Sequence, residues 1–505
     1  MKSVILSTEC DSGGGAGRAA LRLHRALRQV GAENDMFVKY RVKEASVLQF
    51  DDPKIHNRLI DHFVNQEFHK TIKHGNTMSS LPYPYIGLDF LEELKLYDII
   101  NLHWITNFIS IEAVSAMDKP LVWTLHDQNP FTGGCHYTHG CEKYMDSCDN
   151  CPQINENSLN YTRLTLAAKH TYYPKDIVIV TPSKWLADCA KQSSLFKHNR
   201  IEVIPNSVET DAYKPYDKAY ARRSLDLPED GKIIMLGAFD LNERRKGVRH
   251  FVEAFQKMAM NDEVSKLMAE NKLTILTYGK GASMLEGFDH ICRSMGFVED
   301  ENVLARMYSA ADVFVLPSEE DNLPNTMLES FACGTPVVSF RVGGMMDTIV
   351  DGQTGYLAEP FDTSMLADCI QKTLFNNHMS ELCRKYAIEH FRPEIQASRY
   401  EQLFADVLES YRNVNRTNIT MPSLELSQFL TDYTYHMIVR QQNECIEQIS
   451  ALQTQNNQLN AQCTELQIQI NQWQAHCNAL ENSTSWKITK PLRRLSSRIK
   501  QLKGS

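Results

Sequence analysis

The stretch VFVLPSEEDNLPNTMLESFACGTPVVSF, residues 313–340, holds Asp321 and Glu329 on either side of a loop-to-helix junction. A strand ending at Leu316, a helix opening near Pro324 and a stop at Gly334 follow from the residue types, because Pro suits a helix's first turn and Gly its end. Such a junction presents backbone N–H groups at the positive end of a helix dipole, which suits phosphate oxygens. Asn322 and Leu323 are the expected donors there, since Pro324 has no N–H. Buried carboxylates are costly unless hydrogen-bonded, and sugar hydroxyls are natural donors to them. An exposed acidic loop would account for Glu319 and Glu320 but not for the whole arrangement.

Three other constellations could carry chemistry. DSGGGAGRAALRLHRAL places Gly14 and Gly15 in a glycine-rich turn that opens a helix, although such a turn alone does not identify a ligand. His126, in VWTLHD, falls at the carboxyl edge of a strand, where open α/β sheets bind ligands; a lone His is more often structural. GGCHYTHGCEKYMDSCDNCP brings together Cys135, Cys141, Cys148 and Cys151, with His136 and His139 able to replace one thiol. Structural zinc, disulfides and free thiols all remain open for these four.

The elements that must position these groups are short apolar runs alternating with helical segments: Val4–Ser7, Ile99–His103, Leu121–Leu125, Ile177–Val180, Ile201–Ile204, Ile233–Leu236, Leu273–Thr277, Val313–Leu316 and Val337–Phe340. Nearly continuous apolar strands separated by helices imply doubly wound parallel sheets, and there are enough for two. A seam at Pro205–Asn206 divides residues 1–205, with a Cys-rich insert at 133–152, from residues 206–390, and a crossing helix is expected at 391–413. Beyond Asn413 Gln and Asn become abundant. Ile449, Leu452, Asn456, Leu459, Cys463, Leu466, Ile470, Trp473, Cys477 and Leu480 then keep an a/d register within 424–482. The pattern predicts a parallel coiled-coil dimer with Asn456 fixing register; the plainer alternative is a lone helix packed on the body.

With 505 residues, 43% of them apolar, and a net charge of −9, the chain is globular and not built wholly to coat nucleic acid. No apolar run reaches 18 residues, the opening MKSVILSTEC reads as a first strand, and the odd count of 13 Cys fits a reducing cytoplasm. The tail from residue 484 to 505 carries Lys487, Lys490, Arg493, Arg494, Arg498, Lys500 and Lys503 with no acid. Taking those seven cations from −9 leaves −16 on residues 1–483. Leu492, Leu495, Ile499 and Leu502 would share one helical face, a pattern suited to an anionic membrane surface; a solvated tail or a nucleic-acid patch is the alternative.

The carboxylate pair, followed by a small-residue helix and GTPVV, resembles the signature of retaining nucleotide-sugar glycosyltransferases of family 4, which have the GT-B fold. The resemblance extends through GFVEDENVLARMYSAADVFVLPS, RVGGMMDTIVDGQTGYLAEP, RRKG at 244–247, VIPNSVE around Asn206 and the early glycine-rich loop, covering residues 1 to about 410. It implies two Rossmann-like domains with a cleft between them. Glu329 would accept hydrogen bonds from ribose hydroxyls, Lys246 would neutralise the diphosphate, and Asp321 would hold the donor sugar. The family usually has Glu where this chain has Asp321, which puts donor identity in question. Many members place Arg directly after the glycine that opens the second-half segment; here Ala238 follows Gly237, leaving Arg244 or Arg245 to substitute. By the same resemblance Gly14, Gly15, Asn206, Val298, Asn322 and Leu323 join the donor site, and His126 touches the donor sugar.

The implied mechanism is a front-face displacement in which the departing phosphate helps deprotonate the acceptor hydroxyl, with no metal required for the chemistry. The expected function is transfer from a nucleotide-diphosphate sugar to a lipid-linked or oligosaccharide acceptor in surface polysaccharide synthesis, on the inner face of the cell membrane. Two rivals are a soluble transferase with a small acceptor and a catalytically reduced coiled-coil scaffold. A third, an NAD-dependent oxidoreductase, would use Glu33 or Asp35 but leaves the second-half signature without a role.

Overall fold

The computed structural model describes the chain except residues 11–13, 40–43, 51–71, 74–77, 81–89, 156–159, 282–284, 286, 289, 377, 413–423 and 503–505, and the side chains at 412–445 and 498–502. Thus Lys503, and the side chains of Arg498, Ile499, Lys500 and Leu502, lie outside the described residues.

All nine apolar runs form strands; eight are buried on both faces, which only an all-parallel sheet flanked by helices accommodates, and the ninth, at Ile201–Val203, is a half-buried edge strand. The first sheet contains β1 (Lys2–Ser7), β2 (Glu33–Val38), β3 (Val47–Gln49), β4 (Ile99–Leu102), β5 (Leu121–Thr124), β6 (Val178–Thr181) and β7 (Ile201–Val203). Their order is β3-β2-β1-β4-β5-β6-β7, every pair parallel. The second contains β8 (Lys232–Asp240), β9 (Leu273–Lys280), β10 (Cys292–Ser294), β11 (Val313–Leu316), β12 (Val337–Phe340) and β13 (Gly355–Ala358), in the order β10-β9-β8-β11-β12-β13. In each sheet the order reverses beside the first strand, at β1/β4 and β8/β11. That reversal opens a crevice at the carboxyl ends of the strands.

Four helices position the crevice. α1 (Gly15–Gln29) is rich in Ala, Leu and Arg, all good helix formers, and buries Ala19, Ala20, Leu23, Ala26 and Leu27 against the first sheet. α2 (Glu301–Ala310) is capped by the Asp300 side chain, which accepts from Asn302 N–H. α3 (Asn325–Ala332) starts directly after Pro324 and is buried throughout except Thr326. α4 (Pro393–Arg412) returns to the first sheet, packing Ala397, Tyr400, Leu403, Phe404 and Val407 with Ile5, Val122 and Val180. The chain therefore passes between the halves twice, and the passages are stitched together: Val208 N–H donates to Phe391 C=O at 2.9 Å, and Ser207 Oγ to Gln396 Oε1 at 2.7 Å.

A second compact unit spans Phe429–Ser505. It holds most of α5 (Leu424–Asn482), a 59-residue helix of roughly 90 Å at 1.5 Å per residue, and all of α6 (Thr484–Leu502). Its register residues are exposed in the single chain, Leu452 at 64% and Trp473 at 68%. In α6 the Arg493 guanidinium lies 3.5 Å from the Trp486 ring centroid, and Ile488, Leu492 and Leu495 face solvent. Among the described residues no helix is long and apolar enough to cross a membrane.

Candidate active site

The loop leaving β11 is held by backbone contacts that only glycine permits. Gly343 has φ 55°, and a Cβ there would come within 1.7 Å of Asp321 C=O; at Gly344 it would lie 1.8 Å from Asn322 C=O. RVGG is thus the bed on which Asp321 and Asn322 rest. Gly247 (φ 67°) does the same for RRK, ending its turn against Pro317 C=O.

Pressed together, these loops build a charged cluster. Asp321 Oδ2 lies 2.7 Å from Lys246 Nζ and 3.1 Å from Arg245 Nη1. Its Oδ1 accepts from Asn322 N–H at 3.0 Å and from Tyr137 OH at 3.4 Å. Burial alone would raise this carboxyl, but Lys246 and Arg245 outweigh it and hold the group at about 2. Neighbouring Glu320 moves the other way, pushed up to about 7 by burial despite accepting His139 N–H at 2.9 Å.

Glu329 sits in the second turn of α3 and is wholly buried. Its Oε1 accepts from Arg22 Nη2 at 2.8 Å and lies 3.6 Å from Arg18 Nη1, both arginines being on α1; its Oε2 accepts from Tyr308 OH at 3.2 Å. Arg22 also reaches Glu209 Oε2 at 2.6 Å. Burial works against its charge, yet Glu209 and Glu329 more than offset that and raise its pKa further.

On the first sheet's side, His126 follows β5 and its Nε2 lies 2.9 Å from His103 Nδ1. Burial lowers His126 to about 4 and lowers His103 as well, so both rings are neutral near pH 7. His103 is tied to Asn101, which hydrogen-bonds Thr124, fixing its ring orientation. Gly15 C=O accepts from Asn325 Nδ2 at 2.8 Å, and Asn206 Nδ2 donates to Asn325 Oδ1 at 3.2 Å. A Cβ at Gly14 would meet nothing within 4 Å.

These groups line one cavity of about 490 Å³ between the two sheets, within the size of small-molecule sites. Of the residues singled out from sequence, Asp321, Glu329, Lys246, His126, Gly14, Gly15, Arg245, Asn322, Leu323, Val298 and Asn206 line it. Arg244 is not among them: it turns outward, half exposed, 3.9 Å from Glu319. The Asn322 N–H, expected to face phosphate, is instead taken by the Asp321 side chain, while the Asn322 amide bridges Ser183 Oγ and His126 C=O. Sequence reasoning missed Arg18, Tyr137, Phe239 and Phe297, which also face the cavity. A Gly-rich turn followed by Arg on a helix start was the available signal for Arg18; Tyr137 and Phe297 lie inside quoted motifs, where the cysteines and the charged residues drew the reading instead.

Structural zinc, disulfides and free thiols are the three readings open for the Cys-rich insert. Cys135, Cys141, Cys148 and Cys151 line one small space of about 20 Å³ as free thiols. Among the described residues no three His, Cys, Asp or Glu are arranged to hold a metal ion. Burial pushes the Cys148 thiol to about 11 and raises Cys135 and Cys151.

Two parallel-sheet Rossmann-like halves facing each other across such a cavity define the GT-B class. Family models match both halves, "Glycosyltransferase Family 4" at residues 13–212 and "Glycosyl transferases group 1" at 230–376, and the chain belongs to glycosyltransferase family 4. It is 28% identical over 225 residues to N-acetyl-alpha-D-glucosaminyl L-malate synthase of Bacillus anthracis, covering 43% of this chain and 57% of that one. To the putative colanic acid biosynthesis glycosyl transferase WcaC of Escherichia coli it is 27% identical over 251 residues, 48% and 56% of the respective lengths. The chain thus spans about half the length of these curated relatives. Sucrose-phosphate synthase of Thermosynechococcus elongatus shares the fold at TM-score 0.57 and 19% identity, over 81% of this chain and all of that one. Anabaena HepE, solved in complex with UDP and glucose, does so at 0.53 and 14%, over 80% and 99%.

Proposed function

We propose that the chain transfers a hexosyl group, with retention, from a nucleotide-diphosphate sugar to a lipid-linked or oligosaccharide acceptor in surface polysaccharide synthesis. The observation that carries this reading is the layout of the cavity, with Lys246 and Arg245 at Asp321 and the carboxylate of Glu329 further along the same wall. Glu329 takes the ribose hydroxyls, Asp321 the sugar, and the two cations the diphosphate. The relationship to WcaC supports the polysaccharide context, and the HepE complex supports a UDP-type donor.

The bond from the anomeric carbon to the β-phosphate oxygen breaks while a bond to the acceptor oxygen forms on the same face; the acceptor proton passes to the departing phosphate. Lys246 and Arg245 stabilise the charge that builds on that leaving group, which is where preorganised charge contributes most. His126, being neutral, can donate or accept one hydrogen bond to the sugar without adding charge. The site residues named here need no metal for these steps. The exposed register of α5 supports a parallel homodimer, and α6, with Lys487, Lys490, Arg493 and Arg494 beside exposed Ile488 and Leu492, supports attachment to an anionic membrane face at the cytoplasmic side.

A thermal-shift screen of nucleotide sugars identifies the donor, since ligand at 100 times its dissociation constant stabilises by about 2.7 kcal/mol. The anomeric configuration of the product then tests retention. Unchanged transfer in Glu329→Ala and Lys246→Ala would sink the site assignment. A soluble transferase with a small acceptor is the second reading, favoured by the similarity to a malate-glycosylating synthase.

A further inference from the structure

The Cys-rich insert belongs to the first half, yet it reaches across the cavity to the loop that carries Asp321. Tyr137 OH lies 3.4 Å from Asp321 Oδ1, and the Arg245 guanidinium lies 4.2 Å from the centre of the Tyr137 ring. One residue further on, His139 N–H donates to Glu320 Oε2 at 2.9 Å.

The backbone around Tyr137 is fixed on both sides. His136 Nδ1 pairs with Asp127 Oδ2 at 2.6 Å, and its Nε2 meets Ser80 Oγ at 2.9 Å. Thr138 N–H donates to Gln128 Oε1 at 2.9 Å, and Gln153 Nε2 donates to Tyr137 C=O at 3.0 Å. Held in this way, and with its ring against a guanidinium, the phenol has one direction in which to point.

A carboxylate has about four acceptor positions. On Asp321, Oδ2 accepts from Lys246 and lies 3.1 Å from Arg245 Nη1, whose hydrogen bond goes to Glu320 C=O; Oδ1 accepts from the Asn322 N–H and, in the longest of these contacts, from Tyr137 OH. Being the longest, the phenol contact is the one that a sugar hydroxyl reaching Asp321 shares or replaces most readily. Resting on the transferase reading above, we propose that Tyr137 is a specificity-determining residue, selecting the nucleotide hexose by the orientation of the hydroxyl that meets Asp321. The short carboxylate at 321 and the phenol opposite it then form one selecting pair, built from both halves.

The test uses the full chain, with UDP-glucose, UDP-galactose, UDP-N-acetylglucosamine, GDP-mannose and the parent diphosphates UDP and GDP, in the wild type, Tyr137→Phe and Tyr137→Ala. Calorimetry gives the ratio of dissociation constants between sugar epimers and needs no acceptor. Tyr137→Phe keeps the ring under Arg245 and should change the best epimer ratio at least tenfold, with UDP or GDP binding within twofold of wild type; Tyr137→Ala should change it at least as much. Epimer ratios within twofold of wild type in the folded Tyr137→Phe protein overturn the proposal and leave Tyr137 a brace. Wild-type protein that binds none of these nucleotides overturns the transferase reading, and the proposal with it. Epimer ratios that shift while Glu329→Ala binds UDP and GDP normally support Tyr137 and reject only the ribose role of Glu329.

Discussion

Arg22 and Glu329 form an ion pair at 2.8 Å across the cleft, with side chains 2% and 1% exposed, and join α1 of the first half to α3 of the second. Glu209, 2.6 Å from the same guanidinium, makes it a shared cation for two carboxylates. The proposed ribose-binding group is therefore wired directly to the opposite half of the molecule.

Breaking a buried pair by removing one partner costs about 3–5 kcal/mol, because the remaining charge is left without compensation. Arg22→Met should lower stability by that order in thermal or denaturant unfolding. A loss below about 1 kcal/mol would show that Glu209 and Glu329 are solvated well enough without it.

Lys246 is 20% exposed and can be replaced with little disturbance to packing. Removing one preorganised charge partner of a developing anion typically costs a factor of about 10²–10³ in rate. Lys246→Met should show that fall in kcat together with a lower unfolding midpoint, because the buried Asp321 carboxylate loses one of its two cations. A change confined to KM would place Lys246 in ground-state binding only.

Glu320 and Asp321 are neighbours with opposite pH signatures. Burial raises Glu320 to about 7, so between about 4.5 and 7 the unfolded chain has released this proton while the folded chain keeps it. Its contribution to stability is full below that window and is lost as pH rises through it. Asp321, held at about 2 against the pull of burial, contributes stability above its unfolded value that is lost only as pH falls toward 2. Tm measured at pH 5 and pH 7.5 should fall more in wild type than in Glu320→Gln; equal falls contradict this assignment.

Sedimentation equilibrium of the full chain should give twice 57.8 kDa, and deletion of residues 424–505 should give a monomer. Asn456→Leu should keep association while relaxing its stoichiometry, as expected when a register-fixing polar residue is lost from a core. A monomeric full chain at micromolar concentration rules out the dimer.

The strands buried on both faces were legible because a continuous apolar run has one consistent explanation in a parallel sheet. ENDMFV, VLQ, CRS and GYLA (β2, β3, β10 and β13) were not: three lie at sheet edges and all lack such a run. The same division holds in the site. Asp321 and Glu329 are read from one contiguous motif, and Lys246 from a second. Arg22 meets Glu329 from 307 positions away, and Tyr137 meets Asp321 from 184, separations that no local pattern records. The one clue was an arginine set among Ala19, Leu23 and Ala26 on the buried face of α1.

The two passages of chain between the halves, tied by the Val208–Phe391 and Ser207–Gln396 hydrogen bonds, act as a single pivot. Elsewhere the two halves meet through non-covalent contacts, among them Arg22–Glu329 and Tyr137–Asp321. Asn206, beside that pivot, also faces the cavity. The covalent connections between the halves therefore lie at the Asn206 end of the site, whereas contacts such as Arg22–Glu329 can break without breaking the chain.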